Sequence, residues 1–164
     1  MNRRLAPAVL LAVALVVVLA GCAREIDQAK AEKYITKAVG DEIGAKVKSV
    51  DCPSGLTAKK GETFECTVVG TDGSKGTTKV IEKDDKGSVG VSAPFIHPTE
   101  IEDSIEKGIT AQVGSDVALE CPEIIVAKKG DTFDCKATSG SDKATVRATQ
   151  TDGQGHVRYK IVRQ

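Results

Sequence analysis

One string of nine residues occurs twice in this chain, and it limits the possible folds more than any other feature. Ala58-Lys59-Lys60-Gly61-Glu62-Thr63-Phe64-Glu65-Cys66 returns as Ala127-Lys128-Lys129-Gly130-Asp131-Thr132-Phe133-Asp134-Cys135; seven positions are identical and the other two exchange Glu for Asp. Cys52-Pro53 returns as Cys121-Pro122. Ile35, Val39, Ile43 and Gly44 return as Ile105, Ile109, Val113 and Gly114, and Gly87 and Val89 as Gly155 and Val157. Self-similarity at a fixed period marks a duplicated supersecondary unit. The 164 residues therefore divide into a leader at 1–21, a short tether at 22–26, repeat 1 at 27–95 and repeat 2 at 96–164.

Four of the five cysteines fall two to a repeat, 14 positions apart in each. Four cysteines allow three pairings. The duplication favours one of them, Cys52–Cys66 and Cys121–Cys135, each inside its own repeat. Closing a loop of that length contributes about 3 kcal/mol in the chain-entropy account, and units of about 70 residues are small enough to need such a staple. A redox dithiol normally reads Cys-x-x-Cys, and a zinc site wants closely spaced ligand pairs. Neither pattern occurs, and His97 and His156 lie far from any such spacing. No metal and no cofactor is expected.

Each repeat opens with a helix. Ala31, Ile35, Val39 and Ile43 recur every four residues, as do Ile101, Ile105, Ile109 and Val113, so each set forms one apolar stripe. Asp27 caps the first helix. Thr99-Glu100-Ile101-Glu102 reads as a capping box for the second, and Gly44 and Gly114 fit the left-handed residue after the helix end. Strands follow at Val47–Asp51 and Val117–Glu120, then through Phe64-Cys66-Val68 and Phe133-Cys135-Ala137, where alternation turns the aromatic and the cysteine inward. Thr77–Glu82 and Ala144–Thr149 form a third strand, and Ser88–Ser92 and His156–Ile161 a fourth, after turns at Asp84–Gly87 and Asp152–Gly155. The expected class is α+β: two tandem units, each a helix packed on an antiparallel sheet of about four strands. Pro94, His97 and Pro98 mark a joint too short for a long flexible linker.

The leader carries Arg3-Arg4, an unbroken apolar run from Ala8 to Val18, and then Leu19-Ala20-Gly21-Cys22. The run falls short of the roughly 20 residues of a membrane span and has the order of a secretory signal. Leu19-Ala20-Gly21-Cys22 resembles the lipobox of bacterial lipoproteins. That resemblance implies a diacylglyceryl group on the Cys22 sulfur, cleavage before Cys22, and acyl chains such as palmitate in the cell membrane. Two chains on one residue anchor stably, at roughly 0.8 kcal/mol per buried methylene. The implied location is the extracytoplasmic face, with repeat 1 held near the headgroups.

Cys52-Pro53 with Gly61-x-x-Phe64-x-Cys66, and Cys121-Pro122 with Gly130-x-x-Phe133-x-Cys135, together make the mature chain similar to a domain of unknown function common in actinobacterial lipoproteins. The resemblance implies an exported, often membrane-anchored small domain and brings no catalytic residues with it. Tandem helix-plus-sheet units with internal disulfides are also similar in architecture to secreted β-lactamase-inhibitor proteins.

Basic and acidic residues balance at 23 each, and loss of Arg3 and Arg4 with the leader tips the remainder slightly acidic. A nucleic-acid binder would carry a basic excess, so no nucleic-acid partner is expected. Lys59-Lys60 and Lys128-Lys129 are candidate binding residues for anionic headgroups or wall polymers; their plainer reading is a solvated turn at Gly61 and Gly130. Phe64 and Phe133 read as core. Asp84-Asp85 lacks EF-hand spacing, and no Ser-His-Asp grouping or phosphate-cradling glycine motif occurs, so no catalytic residue is assigned. The expected protein is a non-catalytic, lipid-anchored envelope protein that binds a partner protein or an envelope component. A thiol–disulfide enzyme and an inhibitor of a secreted hydrolase are the alternatives.

Overall fold

The computed structural model describes residues 24–91 and 95–162. The leader, Cys22 and Pro94 lie outside the described residues. Helix α1 (Gln28–Ile43) starts where Asp27 accepts a bond from the Lys30 amide at 3.1 Å and ends at Gly44, whose φ is +64°. The Lys30 side chain and amide also hold the Asp27 carboxyl below its usual pKa. Strands β1 (Val47–Asp51), β2 (Thr63–Gly70), β3 (Lys75–Glu82) and β4 (Val89–Val91) follow as an antiparallel sheet in the order β1-β2-β3-β4. Repeat 2 has the same plan: helix α2 (Pro98–Val113), then β5 (Ala118–Glu120), β6 (Thr132–Ser139), β7 (Asp142–Gln150) and β8 (Val157–Val162), in sheet order β5-β6-β7-β8. The expected class, two tandem α+β units with one disulfide each, is what the chain adopts.

Each helix lays its apolar stripe on one face of its own sheet. In repeat 1, Ala31, Ile35, Val39 and Ile43 meet Val50, Cys66, Val68 and Val80. In repeat 2, Ile101, Ile105 and Ile109 meet Leu119, Cys135, Ala137, Val146 and Ala148. The disulfides Cys52–Cys66 and Cys121–Cys135 tie the end of the first strand to the second, with Cα atoms 4.4 and 4.2 Å apart. A glutamate on the helix steadies each one: Glu32 accepts the Cys52 amide at 3.1 Å, and Glu102 accepts the Cys121 amide at 2.7 Å. At the far edge the buried side chains of Glu82 and Gln150 take the Lys59 and Lys128 amides.

Two expectations are corrected. Thr99-x-x-Glu102 does not form a capping box. Helix α2 begins two residues earlier, at Pro98, with His97 as the N-cap and no side-chain cap bond. Proline at the first helical position needs no amide partner and has the right φ already; Glu102 is committed instead to the Cys121 amide. Val113 does not complete the buried stripe of α2, for a reason found at the joint between the repeats.

Candidate functional site

Repeat 1 and repeat 2 meet through a short two-stranded ribbon. The segment just before each helix pairs, antiparallel, with the segment after the first cysteine: Glu25 with Thr57, and Phe95 with Val126. Ile26 donates to the Leu56 carbonyl at 2.8 Å, and Ile96 to the Ile125 carbonyl at 3.0 Å. Side chains on an extended segment alternate between two faces. In both repeats the inner face is apolar, Ile26 with Leu56 and Ile96 with Ile125, and enters that repeat's own core. The outer faces differ. In repeat 1 the outer face carries Glu25, Gly55 and Thr57, all exposed. In the second ribbon, which starts at Phe95 on the boundary of the repeats, it carries Phe95, Ile124 and Val126, which pack into the core of repeat 1.

The docking is close and has a polar frame. A methyl placed on Gly76 would lie 2.7 Å from Val126 and 2.8 Å from Ile124, so β3 admits the ribbon only because it has no side chain there. The turn between β2 and β3 grips Glu123. The Thr71 amide and the Thr71 hydroxyl donate to its carboxylate, the hydroxyl at 2.5 Å, and the Asp72 amide does so at 3.2 Å. Asp72 accepts the Glu123 amide at 3.2 Å, and the Ser74 hydroxyl accepts the Ile124 amide at 3.0 Å. Partial burial pushes the Asp72 carboxyl up; bonds from Ser74 and from the Glu123 amide outweigh that and hold it below its usual pKa.

The same end of repeat 2 has no such closure among the described residues. A cavity of about 240 Å³ lies between the last turn of α2 and the sheet, lined by Ile109, Val113, Val117, Ala137, Val146 and Ile161. Val113 is 54% exposed and Ile161 48%. Ile43, the counterpart of Val113, is 1% exposed and belongs to the core cluster that takes in Phe95, Ile124 and Val126. Ser139, Asp142 and Lys143, from the β6–β7 turn, stand at the cavity rim.

The residues singled out from sequence fall elsewhere. Cys22 lies outside the described residues. The four other cysteines are joined in the two expected pairs, with Cys66 and Cys135 buried. Lys59, Lys60, Lys128 and Lys129 sit in exposed turns. The Lys59 ammonium meets Glu62 at 2.6 Å and that of Lys128 meets Asp131 at 3.2 Å, so one lysine of each pair is engaged by a carboxylate of its own turn. His156 binds Asp152 at 2.7 Å beside a turn. Among the described residues, no three metal-ligating side chains gather.

Phe95, Ile124, Val126 and Gly76 were not foreseen. Their signal lies in the differences between the copies: Ile124-Ile125-Val126 is a continuous apolar run where repeat 1 has Gly55-Leu56-Thr57. An extended run that is apolar at every position is covered on both faces.

A family model described as Domain of unknown function (DUF4333) matches residues 10–87 and again 88–155. No curated protein and no solved structure matches the chain.

Proposed function

The chain belongs, along both of its halves, to the family described as Domain of unknown function (DUF4333), and on that premise we propose that it is a non-catalytic, lipid-anchored envelope protein that binds a partner protein through repeat 2. The observation that carries this reading is the difference between Ile43, sealed at 1% exposure, and Val113, open at 54%. A water-facing apolar cavity in one of two otherwise equivalent units supports a contact surface at that end. Four of the polar side chains are taken up in holding backbone: Glu32, Glu82, Glu102 and Gln150 each accept from an amide.

Attachment falls to Cys22 and its acyl chains. No helix among the described residues is long and apolar enough to cross a membrane. Only Ala23 to Asp27 separate Cys22 from α1, and at most about 3.5 Å per residue is available. Repeat 1 then rests near the headgroups, and repeat 2 presents its open end to the space beyond.

Fractionation of cells producing Cys22→Ser tests the anchor. The unaltered chain is expected in the membrane fraction with diacylglyceryl mass on Cys22, and the variant in the soluble fraction. An unacylated Cys22 in the unaltered chain overturns it. Cross-linking in intact cells tests partner binding; absence of any specific cross-linked protein removes it. Mild reductant is expected to leave both disulfides intact, and release of a free thiol would favour a thiol–disulfide enzyme instead.

A further inference from the structure

The first repeat shows what fits the cavity of the second. The register places Ala137 opposite Ala144 in repeat 2, as Val68 stands opposite Gly76 in repeat 1. Val146 faces Cys135 as Thr78 faces Cys66, and Ile161 lies beside Val146. The open cavity is therefore the position that Phe95, Ile124 and Val126 fill one repeat earlier. Resting on the partner-binding function proposed above, we infer that the open end of repeat 2 binds an extended segment of another protein. That segment carries an acidic residue followed by apolar side chains at alternate positions, in the way Glu123-Ile124-Ile125-Val126 closes repeat 1.

The rim chemistry fits the same segment. Where the β2–β3 turn donates to Glu123, the start of β7 offers the Lys143 ammonium to an incoming carboxylate, the Ser139 hydroxyl being already donated to the Asp116 carbonyl at 2.8 Å. Where Ser74 accepts the Ile124 amide, the Asp142 carboxylate stands ready for an amide of the guest. The methyl of Ala144 makes the floor shallower than at Gly76, while Ala137 in place of Val68 returns room beside it. A smaller β-branched residue than Ile suits the first apolar position.

A head-to-tail interface closes into a ring or extends as a filament unless a unit lacks one of its two mating faces. A second copy of this chain is a poor guest because the outward ribbon face of its repeat 1 is Glu25, Gly55 and Thr57. Its own apolar ribbon is already spent inside the chain. Repeat 1 thus acts as a cap, as the polar terminal units of repeat proteins do, and repeat 2 is left for a different protein. The cavity, at about 240 Å³, is smaller than the roughly 300–1,000 Å³ of small-molecule sites, which favours a few side chains over a whole ligand.

The test titrates the full chain, methyl-labelled for NMR, with a synthetic peptide of sequence Pro-Glu-Val-Ile-Val-Ala. Saturable shifts are expected at Val113, Ala144, Val146 and Ile161. A peptide with Lys for Glu is expected to bind at least fivefold more weakly, and Ala144→Leu to abolish the shifts while leaving the resonances of repeat 1 in place. Val113→Lys, at an exposed position, serves as a second variant and is expected to weaken binding at least tenfold. Three outcomes overturn the inference: no shifts at millimolar peptide, the same shifts on raising protein concentration alone, or shifts with phosphatidylglycerol micelles and none with peptide. If cellular cross-links to a partner persist in Ala144→Leu, partner binding stands and this site falls.

Discussion

Ile43 and Val113 occupy the same last turn of the same helix in two copies of one unit, yet the first is sealed and the second half in water. The scaffolds beneath them share three features. Both have a disulfide spanning 14 positions, a helix glutamate on the first cysteine's amide, and a buried side chain at the end of the third strand holding the lysine turn. What differs is whether a ribbon lies over the end of the sandwich. The shared residues make the fold, and the unshared ones decide which end is left to meet something else.

Truncating the ribbon should produce the largest effect. Phe95→Ala is expected to cost about 3–5 kcal/mol and Ile43→Ala about 2–5 kcal/mol in urea denaturation. Val113→Ala, at the equivalent place, is expected to stay within about 0.5 kcal/mol. Equal losses at 43 and 113 would mean that the end of repeat 2 is covered in solution. Next come the staples. Each disulfide contributes about 3 kcal/mol, but the two are not equivalent, because the cover of repeat 1 is borrowed from repeat 2. In Cys121→Ser/Cys135→Ser, amide protection is expected to fall in both repeats; in Cys52→Ser/Cys66→Ser, it is expected to fall in repeat 1 alone. Hydrogen exchange resolved by repeat decides this.

A smaller effect comes from a position where the copies disagree in chemistry. Among the described residues the Thr78 hydroxyl is buried without a hydrogen-bond partner, opposite Cys66, and repeat 2 places Val146 there. An unsatisfied buried hydroxyl costs roughly 1–3 kcal/mol. Thr78→Val is therefore expected to stabilise the chain by about 1 kcal/mol, and Val146→Thr to destabilise it by a similar amount. Denaturation midpoints measure both, and a loss on Thr78→Val would show that the hydroxyl is satisfied by water.

Much of this was legible in the residues. The four-residue stripes place the helices, the alternation around Phe64-Cys66 and Phe133-Cys135 places the second strands, and duplication selects the cysteine pairing. The joint was not legible in the same way, because identity between copies marks what both units need and says nothing of what one gives the other. Phe95 against Glu25, and Val126 against Thr57, are mismatches in the alignment, and their meaning depends on a register set by the ribbon's backbone bonds. The start of α2 escaped for a local reason. Thr99-x-x-Glu102 satisfies the capping pattern, but Pro98 takes the first helical position and Cys121, distant in sequence, claims the glutamate.

The smallest expected difference concerns charge. Opposite Asp134 on the neighbouring strand stands Arg147, whose guanidinium grips the carboxylate through two bonds of 2.7 and 2.8 Å. In repeat 1 the same positions hold Glu65 and Lys79, and among the described residues no ion pair joins them. The Arg147 side-chain bond holds the Asp134 carboxyl below its usual pKa. A carboxyl whose folded pKa is depressed contributes stability that is present above the unfolded value, near 4, and is lost as pH falls through the folded value. Asp134→Asn is therefore expected to be slightly less stable than the parent at pH 7 and indistinguishable from it once the parent's own carboxylate is protonated, well below pH 4. Exposed pairs contribute little and are screened by salt, so the gap at pH 7 should also narrow at high ionic strength. Glu65→Gln should show neither dependence. A pH-dependent loss at Glu65 as large as that at Asp134 would mean that the repeats share this pairing in solution, and that the asymmetry between them is confined to the ribbon and the cavity.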